Sequence, residues 1–191
     1  VDPQGNRWER IYGAGRLCIG RRAPDGTIQR FNYNDNGFET ENRDDSGNFA
    51  TVIYSGNHVS SRTNAIGDSR SFTYDENGNL ASLTNEMGYV ESYTYDTNGQ
   101  QISRTDQRGN VWQTTYNQYG YPETSRDPLN NVTTYGYDII GRRTSVTDAN
   151  NHTTYFTYDN MGRVTQVTHP DNSFISRTYD CCNLKSITDE R

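Results

Sequence analysis

Short runs of β-forming residues recur along the chain, and polar turns separate them. Runs such as "NVTTYGYD" and "HTTYFTYD" are rich in Thr, Tyr, Val and Phe. β-Branched and aromatic residues at this length favour β-strands. No run shows a helical period of apolar residues flanked by capping residues, so the pattern predicts strands and no helix.

A tyrosine recurs with a fixed period and marks a repeat. The nine marker tyrosines are separated by 21 residues, except for one interval of 20. They are Tyr12, Tyr33, Tyr54, Tyr74, Tyr95, Tyr116, Tyr137, Tyr158 and Tyr179. Such a period is typical of a repeat protein, and it predicts a single array over residues 1–191 with no second domain.

Each period contains two turn signals. The first follows the tyrosine as Asp-x-x-Gly, as at 138–141, and predicts a type I turn that ends in a left-handed residue. The expected left-handed glycines are Gly78, Gly99, Gly141 and Gly162. In the second turn, Asn130, Asn151 and Asn172 replace glycine, and asparagine tolerates a left-handed backbone well.

Two strands and two tight turns per period predict an all-β fold. The nine periods should form a long antiparallel meander of about 18 short strands, coiled as a strip or shell segment. Three irregularities are expected: a shortened turn after Tyr54, a turn without glycine at 179–183, and a bulge at Pro122 within a strand.

Alternation along each strand sorts the side chains onto two faces. The residue two before each marker tyrosine shares its face and is mostly aromatic: Phe31, Val52, Phe72, Tyr93, Tyr135 and Phe156, with Arg10, Thr114 and Arg177 as the exceptions. The pattern predicts an aromatic and aliphatic ladder, at about 0.2–1 kcal/mol per cross-strand pair. Leu80 and Leu83 differ in parity, as do Val164 and Val167. Either a bulge brings each pair to one face, or one member faces outward.

Composition and charge exclude several classes of protein. Hydrophobic residues make up 30% of the chain and mean hydropathy is −1.04, values that favour disorder, but 15 tyrosines argue against it. The net charge of −6 disfavours nucleic acid as a partner. No apolar stretch reaches ~20 residues, so no membrane span is predicted.

No residue pattern indicates catalysis, a metal or a cofactor. His58, His152 and His169 lack metal-ligand spacing, and the Asp-x-x-Gly turns lack the alternating carboxylates of calcium loops. The cysteines are too few for a disulfide framework. We interpret Cys181 and Cys182 as two incidental thiols in a turn rather than a redox switch. The sequence therefore predicts a non-enzymatic protein.

Two tryptophans are candidates for stacking on sugars. Trp8 and Trp112 each lie four residues before a marker tyrosine, and aromatic rings on an exposed sheet can bind carbohydrate. The same spacing places both on the face of the ladder. Packing within the ladder is therefore the favoured interpretation, and sugar binding is the alternative.

The chain resembles the YD-repeat, or RHS-repeat, family. The resemblance rests on Tyr-Asp-x-x-Gly-Arg at 137–142 and 158–163, on Val-Thr-Asp at 146–148, and on the spacing of 21. It implies a long sheet that spirals into a hollow shell. Related bacterial secreted proteins and insecticidal toxin complexes enclose a toxic segment in such shells, and animal teneurins carry a related one.

The resemblance implies an extracellular or cell-surface protein, bacterial in origin, that serves as a structural segment of such a shell or strip. It would enclose or display another segment, such as a toxin. Two alternatives stay open: a carbohydrate- or surface-binding adhesin segment, and a subunit of an extracellular filament built from such strips.

The ends of the sequence raise expectations about partners. It opens at a second turn, 2–5, and closes at another, 188–190, with no capping sequence, which favours a window of a longer protein. The edge strands near 6–12 and 183–188 should pair with the rest of the parent chain or with identical copies. An enclosed toxin segment and glycans are the other expected partners.

Overall fold

The computed structural model describes residues 7–190, and this part of the chain is all-β. Eighteen strands follow in chain order, which confirms the predicted fold class and strand number. Their bounds are β1 Glu9–Tyr12, β2 Cys18–Arg22, β3 Ile28–Tyr33, β4 Glu39–Arg43, β5 Phe49–Ser55, β6 His58–Thr63, β7 Ser69–Tyr74, β8 Leu80–Thr84, β9 Val90–Tyr95, β10 Gln101–Thr105, β11 Val111–Tyr116, β12 Pro122–Arg126, β13 Val132–Tyr137, β14 Arg143–Thr147, β15 Thr153–Tyr158, β16 Val164–Thr168, β17 Phe174–Tyr179 and β18 Leu184–Glu190. The turn predicted at 2–5 and the start of the edge predicted at 6–12 lie outside the described residues.

One short helix corrects the expectation of none. A 3₁₀ turn spans Ala14–Arg16. It lies in the first turn after Tyr12, where Gly13 takes the place of the aspartate found in most repeats. Gly13 has no side chain to accept backbone N–H groups, and the Gly13 amide donates to the Leu17 carbonyl oxygen at 2.9 Å, as the corresponding amide does in other first turns. Arg16 is left-handed, with φ of 63°.

The chain forms two compact units, residues 1–92 and 93–191. In the first, β1 to β8 pair in sequence order, and β8 pairs with the beginning of β9 at 90–92. In the second, β10 to β18 pair in the same manner. Every one of these pairings is antiparallel, so each unit is a meander, as predicted.

A bulge in the first-turn hairpins brings both leucines of one hairpin, and both valines of another, to the same face of the sheet. In the β7–β8 hairpin, Leu83 lies opposite Phe72 and Leu80 opposite Tyr74, with one extra residue between the two leucines. Both leucines therefore reach the face that carries the marker tyrosines, called here the Tyr face. Val164 and Val167 lie opposite Tyr158 and Phe156 in the same way.

The bulge predicted at Pro122 is present, but the proline does not cause it. Tyr116 lies opposite Pro122 after a register shift of one residue. The same shift occurs opposite Tyr137, where Arg143 stands in place of proline. The bulge therefore belongs to the repeat, and position 122 tolerates proline because the ladder is already interrupted there.

Neither unit has a conventional core. Among residues 7–190 no hydrophobic side chain is fully buried; the Tyr face is half-buried and the opposite face carries hydroxyl pairs. Thr73 and Ser82 are 2.7 Å apart between their oxygens, as are Thr115 and Thr124. Cohesion thus depends on contacts between neighbouring strands. No helix in the described part of the chain is long and apolar enough to cross a bilayer.

Candidate functional site

Where a first turn begins with aspartate, the side chain of that residue organises the turn. Asp159 Oδ1 accepts hydrogen bonds from the amides of Met161 and Arg163, both at 2.9 Å. The backbone closes the turn, since the Gly162 amide donates to the Asp159 carbonyl oxygen at 3.0 Å. These N–H donors stabilise the carboxylate, so the Arg163 amide, as the largest cause, lowers the pKa of Asp159.

The predicted left-handed residues have positive φ at every position. Gly78, Gly99, Gly141 and Gly162 have φ of 85°, 78°, 86° and 81°. Asn130, Asn151 and Asn172 have φ of 67°, 63° and 67°. Space distinguishes two of the glycines: a Cβ at Gly141 would overlap the Tyr121 hydroxyl, whereas Gly162 faces open space.

The arginine after the turn glycine joins one repeat to the next. Arg163 Nε donates to Asp159 Oδ2 at 2.7 Å, and its Nη1 donates to the Asp180 carbonyl oxygen at 3.0 Å. Its Cζ lies 4.4 Å from the ring centroid of Tyr179, in the range of a cation–π contact. We call this arrangement of aspartate, arginine and the next marker tyrosine the repeat clamp.

The clamp recurs one repeat earlier with the same atoms. Arg142 Nε donates to Asp138 Oδ2 at 2.6 Å, and its Nη1 donates to the Asp159 carbonyl oxygen at 3.0 Å. Its Cζ lies 4.9 Å from the ring centroid of Tyr158. The motif Tyr-Asp-x-x-Gly-Arg is therefore a connection between consecutive hairpins as well as a turn.

Other repeats fill the arginine position with rings. Phe38 stacks on Tyr54 and Tyr121 stacks on Tyr137, both with ring centroids 5.1 Å apart, and His58 lies over Tyr74 at 4.6 Å. Flat groups, cationic or aromatic, thus cover the marker tyrosine of the next repeat. The contact thus occurs with different residue types at Phe38, His58, Tyr121, Arg142 and Arg163, whereas Leu17, Asn79 and Gln100 occupy the position in other repeats.

The hydroxyl of the marker tyrosine makes a second link between hairpins. It donates to the carbonyl oxygen of the residue 15 positions earlier, at 2.6–3.0 Å, in the pairs Tyr33–Cys18, Tyr54–Glu39, Tyr116–Gln101, Tyr158–Arg143 and Tyr179–Val164. Between β16 and β17 the backbone pairing stops at Gln166 and Ser176. The hydroxyl of Tyr179 therefore bridges the strands beyond the last backbone pair.

Sequence reasoning missed both the arginine and the hydroxyl. A signal for the hydroxyl was available, since all nine markers are tyrosine although the chain also holds 6 phenylalanines. Packing alone would accept phenylalanine, so the constancy of the phenol indicates a hydrogen bond. The arginine had a weaker signal, because only Arg142 and Arg163 show it among the varied residues at that position.

The two tryptophans differ in exposure. Trp8 is 54% exposed, has Arg21 Cζ 5.6 Å from its ring centroid, and borders an open cleft with Pro24 and Asp25. Trp112 is half-buried and lies beneath Arg104 at 5.2 Å. They belong to different units, and only Trp8 has a substantially accessible ring.

The histidines and cysteines do not assemble into a reactive group. His58 occupies the clamp position described above, and His152 Nδ1 lies 3.3 Å from Asp148 Oδ2 in a second turn. Cys181 and Cys182 are exposed free thiols, both in the turn after Tyr179. Within residues 7–190 no cluster of three or more His, Cys, Asp or Glu could hold a metal ion.

Comparison with protein families identifies the repeat. A family model described as RHS Repeat matches residues 54–90, 74–111, 123–153 and 140–173, together more than half of the chain. A comparison with curated protein sequences finds no match. The family match includes both complete Tyr-Asp-x-x-Gly-Arg motifs.

Solved structures with the same fold are parts of toxin assemblies. The TcdB2-TccC3-Cdc42 crystal structure matches 96% of this chain with a TM-score of 0.72 at 15% identity, and this chain covers 12% of that one. The Tc holotoxin pore of Photorhabdus luminescens matches 95% with a TM-score of 0.71 at 14% identity, again over 12% of its length. At such identities the likeness concerns the fold.

Proposed function

The chain belongs to the RHS-repeat family, and from this premise we propose that it is a non-enzymatic structural segment of an RHS-type β-shell or strip. The repeat clamp is the observation that carries the proposal. The motif's charged and phenolic groups are all engaged in holding hairpins together, as at Asp159, Arg163 and Tyr179. This engagement supports a structural role for the motif.

The finer role we propose is extracellular or cell-surface, enclosing or displaying another segment such as a toxin. The structures that share the fold are named as Tc toxin components, and this chain covers 12% of their length. A segment of that size supplies part of a wall. Its expected partners are therefore neighbouring repeats and whatever those repeats surround.

Limited proteolysis of the protein as isolated from its source tests enclosure. A segment inside a closed wall should resist protease until denaturant opens the array, and array and enclosed segment should then become sensitive together. Digestion of every other segment under native conditions, with the array left intact, would contradict enclosure. Protease added to intact cells tests location, because a surface array is cleaved without lysis.

A second candidate function is binding of carbohydrate or of a glycan-coated surface. The exposed ring of Trp8 beside Pro24 and Asp25 favours it, because a half-open aromatic ring next to a carboxylate can stack on a sugar and accept its hydroxyls. Glycan-array binding should be lost on Trp8→Ala. It should persist on Trp112→Ala, since that ring is covered by Arg104; equal loss from both variants would point to packing instead.

A further inference from the structure

One row of the Tyr face places two arginines, Arg62 and Arg70, directly opposite each other, as the row with Arg10 and Arg21 also does. Arg62 lies directly opposite Val52 on one side and opposite Arg70 on the other. In the second unit the corresponding row is Phe156, Val167 and Ile175. Like charges directly opposite each other in a sheet are destabilising, so this row is less favourable for folding than the apolar one.

The two arginines differ in their partners. Arg70 Nε lies 3.2 Å from Glu86 Oε2, which compensates its charge. Arg62, in contrast, makes no side-chain hydrogen bond or ion pair within residues 7–190. Its guanidinium keeps a planar set of donors with no acceptor in the described chain.

Both arginines line a cleft of about 550 Å³ in the first unit. Three carboxylates also line it, and each already has a donor. Glu39 Oε1 accepts from the Asn42 amide at 3.1 Å, Asp68 Oδ2 accepts from the Asn64 amide at 3.2 Å, and Glu86 is held by Arg70. Of the two guanidinium groups in the cleft, Arg62 is therefore the one without a carboxylate partner.

We propose that Arg62, with Arg70 beside it, binds the carboxylate of a small polar molecule in this cleft. A guanidinium presents two parallel N–H donors that match the two oxygens of a carboxylate. The bound anion would also separate the two like charges and so relieve their repulsion. Tyr54 and Asn42 border the same cleft and would lie beside the rest of the ligand.

Titration of the full chain at low ionic strength, followed by amide chemical shifts, tests the site with defined probes. Glucuronate should bind with shifts centred on β5 to β7, whereas glucose, which lacks the carboxylate, should bind at least about tenfold more weakly. Acetate distinguishes the source of the carboxylate. If acetate binds with the same affinity as glucuronate, the carboxylate alone is recognised. If glucuronate binds more tightly than acetate, a carboxylated sugar is the ligand class.

Three variants separate a built site from general charge. Arg62→Ala should weaken glucuronate binding about tenfold, and Arg62→Lys should weaken it as well, because lysine keeps the charge but loses the planar pair of donors. The matched control is Arg126→Ala, an exposed arginine on the opposite face in the second unit, which should leave binding unchanged.

The proposal has clear contrary outcomes. Equal affinity for glucose and glucuronate, full binding by Arg62→Lys, or sulfate binding as tight as carboxylate would each overturn it. An equal loss with Arg126→Ala would show attraction to the whole surface instead. The site does not depend on a shell function, since enclosure is tested by proteolysis and this site by ligand titration.

Discussion

The first and second turns of a repeat share their backbone geometry and differ in what they attach to. In both, the residue at the fourth position donates to the aspartate carbonyl oxygen, at 3.0 Å for Gly141 on Asp138 and for Asn151 on Asp148. The second-turn hairpin of β14 and β15 pairs without a register shift. The first-turn hairpin of β13 and β14 carries a bulge, and Arg142 at the end of its turn reaches the next repeat.

The difference shows how one turn type serves two purposes. Both turns reverse the chain, and the first also joins consecutive hairpins through the repeat clamp. Second turns make such links without a recurring motif, as Asp45 does to Arg30. The residue after the second turn, His152, has a side chain that is 63% exposed, and its Nδ1 lies 3.3 Å from Asp148 Oδ2 of its own turn. We therefore expect substitutions at first turns to affect the array more than matched substitutions at second turns.

Acid should affect both kinds of turn, and it should have the largest effect because many aspartates act together. Hydrogen bonds lower the pKa of Asp159 in a first turn and of Asp148 in a second. A lowered folded-state pKa contributes stability that is fully present above the ordinary aspartate pKa of about 4. That stability is lost as pH falls through the lower folded-state values.

Thermal unfolding followed by circular dichroism between pH 7 and pH 2 measures this effect. The midpoint should stay level down to about pH 4 and then fall. Asp159→Asn should reduce the fall of the unfolding midpoint in acid more than Asp148→Asn does, because Asp159 also binds Arg163. An equal reduction by the two variants would remove the distinction between the turns.

Gly141→Val is the single substitution with the largest expected cost. The left-handed φ of 86° is unfavourable for a β-branched residue, at about 1–3 kcal/mol, and the new side chain would also displace the Tyr121 ring from its stack on Tyr137. Urea unfolding should show the larger loss for Gly141→Val. Gly162→Val is the matched control, with the same backbone strain and open space.

Arg163→Ala should have the next largest effect. It should lower the free energy of unfolding by about 1–2 kcal/mol, because it removes a charge-assisted hydrogen bond and a cation–π contact. Hydrogen exchange should rise in the turn before Arg163 and in the turn after Tyr179, which the side chain connects. The counterpart at a second turn is His152→Ala, which should change stability by less than about 0.5 kcal/mol. A comparable loss there would contradict the role of the clamp.

Tyr158→Phe isolates the hydroxyl of the marker tyrosine. It keeps the ring under Arg142 and removes the bond to the Arg143 carbonyl oxygen, 2.6 Å long, so a loss of about 1 kcal/mol is expected. Tyr155→Phe is the control, since that side chain is 55% exposed and lies on the opposite face. A neutral Tyr158→Phe would mean that the marker is tyrosine for packing alone.

The sequence was sufficient for the fold because the fold is built from local turns. Period, turn residues and strand composition predicted an all-β meander of about 18 strands, and the turn motifs predicted the left-handed glycines and asparagines named above. The clamp was not predictable in the same way, because Arg163 acts on Asp180, which is 17 residues away. Pattern along one strand carries no information on which side chain of the next hairpin lies within reach.

The smallest expected effect comes from exchanging the left-handed residues of the two turns. At Asn151, φ of 63° suits asparagine, so Asn151→Gly relieves little strain and raises the entropy of the unfolded chain, and the two changes should nearly cancel, within about 0.5 kcal/mol. Gly162→Asn should be similarly mild because nothing lies near its Cβ position.

Gly141→Asn completes the exchange and should not be mild, because Tyr121 occupies the space that the new side chain needs. Urea unfolding of the three variants tests whether first and second turns are interchangeable as turns and distinct only through their neighbours. If Gly162→Asn costs as much as Gly141→Asn, the first turn demands glycine for its backbone, and the contact with Tyr121 is not the reason.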